Sequence, residues 1–181
     1  MGLLSLKIDE ITHCLKDVNG DDVETYVTQI TTAAELKGYN TKDWYVNWSK
    51  LLANNEVFAL RTADGEIQGL AAVENDKEAS TALLSWIVAA PWNNPQKLNG
   101  KPKKYKGVGG HLFAIGVERS IAYGYDGVLL GHPSNKDVMK NYIEKLGAQE
   151  FPISNGYLYT IVLWEEAARK LMEDYDYEKR Y

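Results

Sequence analysis

The 181-residue chain has one cysteine, five prolines and three histidines. A single thiol excludes an intramolecular disulfide framework, so a reducing, cytoplasmic setting is expected. Cys14 reads as a small half-buried strand residue, because no neighbouring motif supports a nucleophile. No apolar run approaches the ~20 residues that span a bilayer, and the opening MGLLSLKIDE meets acids too early for a secretory leader, so no membrane role is expected. Repeats and linkers rich in Pro, Gly or Ser are also lacking, which leaves one domain over residues 1–181. Positive charge is in deficit: 20 Lys and Arg stand against 25 Asp and Glu, a net charge of −5. That balance argues against a general nucleic-acid binder.

What the chain does have is a succession of strands followed by a strand and helix alternation. Stretches near Ile11 to Leu15 and Val23 to Ile30 flank DVNGDD and predict an N-terminal hairpin. Residues 31–55 mix two periods and read as one or two short helices. EVFALRTADGEIQGLAAVEND predicts a hairpin around Asp64-Gly65, and STALLSWIVAAP a buried strand stopped at Pro91. From Gly107 the apolar spacing becomes helical up to Gly124. YDGVLLGHP is then a short strand, NKDVMKNYIEKLGA a helix closed by Gly147, YLYTIVL a late strand, and WEEAARKLMEDYDYEKR a polar-faced helix with a frayed end. A strand such as YLYTIVL, if exposed at a sheet edge, could pair two copies into a homodimer.

The most informative stretch is KPKKYKGVGGHLFAIGVERS, residues 101–120. Four lysines crowd into six residues, and three glycines into the next four. A helix that starts after a glycine turn points unpaired amides at one place, which suits an anion, and its end adds ~0.3–1 kcal/mol per charge. A flexible surface loop ahead of an ordinary core helix would show the same residues. Neither a Walker loop, which needs GxxxxGK and then Ser or Thr, nor a GxGxxG dinucleotide fingerprint is written here. The pyrophosphate of coenzyme A remains.

At these residues the chain resembles the GNAT superfamily of acetyl-CoA-dependent N-acetyltransferases. Their signature, Gln or Arg followed by xxGxG or xxGxA at a helix start, is matched from Lys104 to Gly110, with lysine in first place. Downstream, Asn135 and Tyr142 match the Asn-x-x-Ala-x-x-x-Tyr pattern. The string APxN, GVGGHLFAI and YGYDG is similar to a bacterial branch of such proteins. The resemblance covers about the second half of the chain and implies an α/β (α+β) fold. Its central sheet would be mixed, mostly antiparallel and flanked by helices, splayed between the fourth and fifth strands.

The resemblance also implies roles. Acetyl-CoA would be the cosubstrate, with no metal, and an amine on a small molecule or a protein the acceptor, attacked directly in a ternary complex. Lys104, Tyr105, Lys106, Gly107, Val108, Gly109 and Gly110 would hold the pyrophosphate, with His111 packing or touching CoA. Main chain at Ile87, Val88 and Ala89 would pair with the pantetheine arm. Asn135 would contact cofactor or cap its helix. Tyr142 would act as general acid on the leaving sulfur, although counting back from Gly147 places Ile143 there instead. STALLSWIVAAP offers no acid, which leaves Glu74 or His132 as candidate base. Tyr39, Trp44, Tyr45, Trp48 and Trp92 could wall an acceptor pocket or form core. The basic loop 92–104 could hold the CoA nucleotide or cover the acceptor. With the strand carboxylate missing, a module that binds acyl-CoA or a partner protein without turnover stays open as the alternative.

Overall fold

The computed structural model describes residues 2–152 and 156–175. A short hairpin, β1 (Leu15–Lys16) with β2 (Asp22–Val23), precedes a seven-stranded sheet. That sheet is built from β3 (Thr25–Ile30), β4 (Glu56–Thr62), β5 (Ile67–Asp76), β6 (Thr81–Ala89), β7 (Leu129–Gly131), β8 (Gln149–Glu150) and β9 (Ile161–Leu163). Its spatial order is β3-β4-β5-β6-β7-β9-β8, and every neighbouring pair is antiparallel except β6 with β7.

Both faces of the central strands are buried, and their alternation serves two cores. Phe58, Leu60, Ala71, Val73, Leu84 and Ile87 pack with the long helix α4 (Val108–Tyr123). Val57, Ala59, Leu70, Ala72 and Val88 pack on the other face with Leu36, Trp44 and Trp48. Those three residues come from a 3-10 turn (Ala33–Leu36) and two single-turn helices, α1 (Thr41–Trp44) and α2 (Trp48–Leu51). A third short helix, α3 (Pro95–Leu98), lies in the basic loop. Helices α5 (Lys136–Leu146) and α6 (Glu165–Asp174) flank β8 and β9.

Strand β6 carries the feature that positions the site. Its pairing with β5 shifts register between Ala72, opposite Trp86, and Val73, opposite Leu84, so Ser85 bulges out of the ladder. The parallel ladder with β7 covers only Ala82–Leu84. A bulge bends its strand, and here it falls where β6 and β7 stop pairing.

Several sequence expectations change. The Asn19-Gly20 turn does join a hairpin, but the strand begins at Leu15 rather than Ile11, and Val23 to Ile30 is divided between β2 and the edge strand β3. Of YLYTIVL only Ile161–Leu163 is strand, and it lies between β7 and β8. Inside the sheet its backbone is paired on both sides, which removes the ground for a dimer through that strand. The expected frayed tail beyond Tyr175 falls outside the described residues.

Leu112 is fully buried where α4 meets the sheet. Leu112→Ala should lower unfolding free energy by ~2–5 kcal/mol in urea titrations, the range for a buried leucine whose site cannot collapse.

Candidate cofactor groove and acceptor cavity

The helix α4 starts as the glycines suggest. Gly107 is its N-cap in the left-handed region, φ 97°, where a side chain would be strained. Its amide donates to a carboxylate, Asp9 Oδ1, at 3.1 Å. The same carboxylate accepts from the Glu10 amide at 2.7 Å and from Lys103 Nζ at 2.8 Å. An anion therefore sits against the cradle, and it belongs to the protein itself.

Asp9 is carried by an extended arm, residues 2–12, that no sequence expectation placed here. Gly2 lies so close to the Ser85 carbonyl of β6 that a Cβ would collide with it. Leu4 then continues the edge of β7: its amide donates to His132 O at 2.8 Å and its carbonyl accepts from the Ser134 amide at 2.9 Å. Further along, Ile8 exchanges two hydrogen bonds with the Asn141 amide group of α5, at 2.7 and 3.0 Å. A Cβ on Gly109 would press on Lys7 O and Ile8, so the missing side chain lets the arm cross the helix start. Beyond Thr12, Lys16 and Lys106 exchange backbone hydrogen bonds at 2.9 and 3.1 Å and dock the hairpin onto the glycine loop. Leu4 and Ile8 are buried, while Ser5 and Lys7 are exposed. The alternation Leu4, Leu6, Ile8 against Ser5, Lys7, Asp9 is a strand-like pattern through which this segment could have been found.

Three lysines of the loop are matched by acids. Lys103 pairs with Asp9, Lys106 with Glu10 at 3.6 Å, and Lys104 with Glu66 at 3.0 Å. Lys104 also lies over the rings of Trp92 and Tyr105, and its pKa is raised chiefly by the hydrogen bond to Glu66. His111 is buried in the first turn of α4 against the Tyr175 ring, 4.5 Å between centroids, so it packs rather than facing the groove.

Helix α5 forms the opposite wall. The Asn135 side chain accepts from the Val138 amide at 2.9 Å and caps the helix. Tyr142, not Ile143, faces inward: Tyr142 is 0% exposed and Ile143 36%. The Tyr142 hydroxyl donates to the Leu6 carbonyl of the arm at 2.7 Å, and burial pushes its pKa well up.

Beside the arm opens a cavity of about 660 Å³. Trp44, Tyr45, Trp48 and Trp86 supply its aromatic wall; Ile87 and Val88 of β6 and the arm residues Leu6 and Lys7 complete it. Of the expected aromatics, Trp44 and Trp48 serve core and cavity together, while Tyr39 and Trp92 pack edge-on against Trp44. The start of the basic loop closes one side. There Asn94 Nδ2 donates to the Tyr45 hydroxyl at 2.8 Å, and that hydroxyl donates to Gln96 Oε1 at 3.0 Å. Asn93 and Trp92 hold the loop to the buried Gln68 side chain at 2.9 and 2.8 Å.

Neither candidate base lines this cavity. Glu74 pairs across to Leu83, four residues before Ile87 and so ~13 Å along the strand. His132 is half-buried, stacked on Tyr157 at 3.5 Å, with Nδ1 3.0 Å from Thr160 Oγ1. The acid that does line the cavity is Asp137, in the first turn of α5. By sequence it reads as an ordinary helix-start acid. Away from the groove, His13, Cys14 and Asp22 bring ligand atoms within 4.8 Å of one another, but Asp22 is already ion-paired with Lys16.

In sheet order and flanking helices this architecture has the GNAT fold. A presumed acetyltransferase from Exiguobacterium sp. 255-15 superposes with a TM-score of 0.50 at 13% identity, covering 81% of this chain and 97% of that one. A second, from Acinetobacter baylyi ADP1, gives 0.50 at 12% identity over 78% and 92%. A presumed acyl-CoA N-acyltransferase from Klebsiella pneumoniae gives 0.47 at 15% identity over 76% and 95%. No protein-family profile matches the sequence, and no curated protein matches it significantly.

Burial lowers the pKa of His132, so the folded state binds its proton less readily than the unfolded chain. Stability should hold above the ordinary histidine value near 6.5 and fall as pH drops through it. His132→Gln should flatten that fall in denaturant midpoints measured between about pH 7 and pH 5.

Proposed function

We propose that the protein transfers an acetyl group from acetyl-CoA to a primary amine. The observation that carries this reading is the cradle at Gly107: an amide at a helix start that, together with Lys103, already takes a carboxylate. The donor set suits a pyrophosphate, since backbone amides and ammonium groups are what phosphates accept from. Lys104, Tyr105, Lys106, Gly107, Val108, Gly109 and Gly110 would hold it, with Ile87, Val88 and Ala89 offering main chain to the pantetheine arm where β7 no longer pairs with β6. Acetyl-CoA supplies the acyl group already activated as a thioester.

The chain's own residues would do the rest. The tryptophan and tyrosine wall would seat the amine's carbon skeleton and exclude water, while Asp137, the carboxylate of the cavity, would draw the cationic amine in and take its proton. The Tyr142 hydroxyl, whose raised pKa keeps it protonated, would donate to the departing sulfur. Its present acceptor is the Leu6 carbonyl, so the arm has to leave that position first. The same arm favours the second reading, a non-catalytic scaffold, if it never leaves.

Thiol release from acetyl-CoA over a panel of amines tests the proposal. Tyr142→Phe should lower kcat by ~10²-fold or more, and Asp137→Asn should slow the reaction most below neutral pH, where a base is scarce. Turnover left unchanged by both substitutions would sink the assignment. Acetyl-CoA binding in calorimetry without turnover of any amine would favour the scaffold.

A further inference from the structure

We infer that residues 2–12 form a displaceable intramolecular ligand of the cofactor groove, which holds the protein closed until acetyl-CoA competes the arm away. This rests on the cofactor reading above and concerns how that same site is regulated.

The arm reproduces the demands of the ligand group by group. At one end Gly2 and Leu4 fill the space between Ser85 of β6 and the chain after β7, satisfying backbone groups at His132 and Ser134. In the middle its carbonyl at Leu6 accepts from the Tyr142 hydroxyl, and the Ile8 amide and carbonyl pair with both groups of the Asn141 side chain. At the other end Asp9 and Glu10 answer Gly107, Lys103 and Lys106. An extended amide chain ending in negative charge is also a description of pantetheine and pyrophosphate.

The balance between the two is close for physical reasons. Being tethered at β1, the arm competes at high effective concentration. Its ionic end rests on two unequal pairs: Lys103–Asp9 at 2.8 Å is largely buried, whereas Lys106 and Glu10, 3.6 Å apart, are about half exposed, 56% and 43% of their side chains, and a pair of that kind contributes little. A pyrophosphate brings more charge to the same donors. Apparent affinity for acetyl-CoA is then the intrinsic affinity reduced by the fraction of molecules with the arm out.

The hydroxyls of Ser5 and Ser134 lie 2.9 Å apart and are hydrogen-bonded, which makes them a site for a removable lock. The test variant is Ser5→Cys/Ser134→Cys with Cys14→Ala to prevent mispairing. Acetyl-CoA binding is measured by calorimetry on the same sample oxidised and then reduced. Beside it, Asp9→Asn/Glu10→Gln is titrated, and hydrogen exchange at the Leu4 and Ile8 amides is followed with and without acetyl-CoA.

The expected result is no binding when oxidised, binding restored by reductant, and roughly tenfold tighter binding in the charge-neutralised variant. Both amides should lose protection as acetyl-CoA saturates the protein. Equal binding in the oxidised and reduced forms would overturn the inference and leave the cofactor reading standing. Absence of binding in every form, the neutralised variant included, would remove the cofactor reading and the competition with it.

Discussion

The molecule depends on one incomplete pairing. Buried backbone groups need hydrogen-bond partners, and β6 loses β7 as a partner after Leu84, where Ser85 bulges. Everything that follows is an answer to that open edge. The arm enters beside it, the chain beyond β7 turns to receive Leu4, and α5 offers Asn141 and Tyr142 to the arm's next carbonyls and amides. The arm's own backbone groups take their partners from the chain after β7 and from α5, alongside that edge.

Charge follows the same logic. The lysine cluster of residues 101–106 looks, in isolation, like a surface prepared for an external polyanion. In the folded protein Asp9, Glu10 and Glu66 have already matched three of those lysines. Both acids of MGLLSLKIDE are used in this way, Asp9 at the Gly107 amide and Lys103, Glu10 at Lys106.

Legibility in the sequence divided along the range of the interactions. Local devices were readable: Gly107 and Gly124 bounding α4, Asn135 capping α5, and the Asp64-Gly65 turn. Each is fixed by residues a few positions apart. Counting along α5 left Tyr142 and Ile143 both open, and only their burial separates them. What was not readable joins distant segments: Ile8 with Asn141 is 133 positions apart, and Asp9 with Gly107 is 98. The alternation of Leu4, Leu6 and Ile8 was there to be read as strand-like, but nothing local says which groove such a segment will enter. Asp137 was missed for a related reason, since an acid in a first helical turn is explained by the helix dipole alone.

The aromatic wall has a further use. Three of the five tryptophans, Trp44, Trp48 and Trp86, line the cavity, and Trp92 packs edge-on against Trp44; only Trp164 stands apart on the surface. Most of the protein's ultraviolet emission therefore originates around one volume, against a wall that includes the arm. The chain carries its own optical reporter, and movement of the arm or entry of a guest can be followed in unlabelled protein.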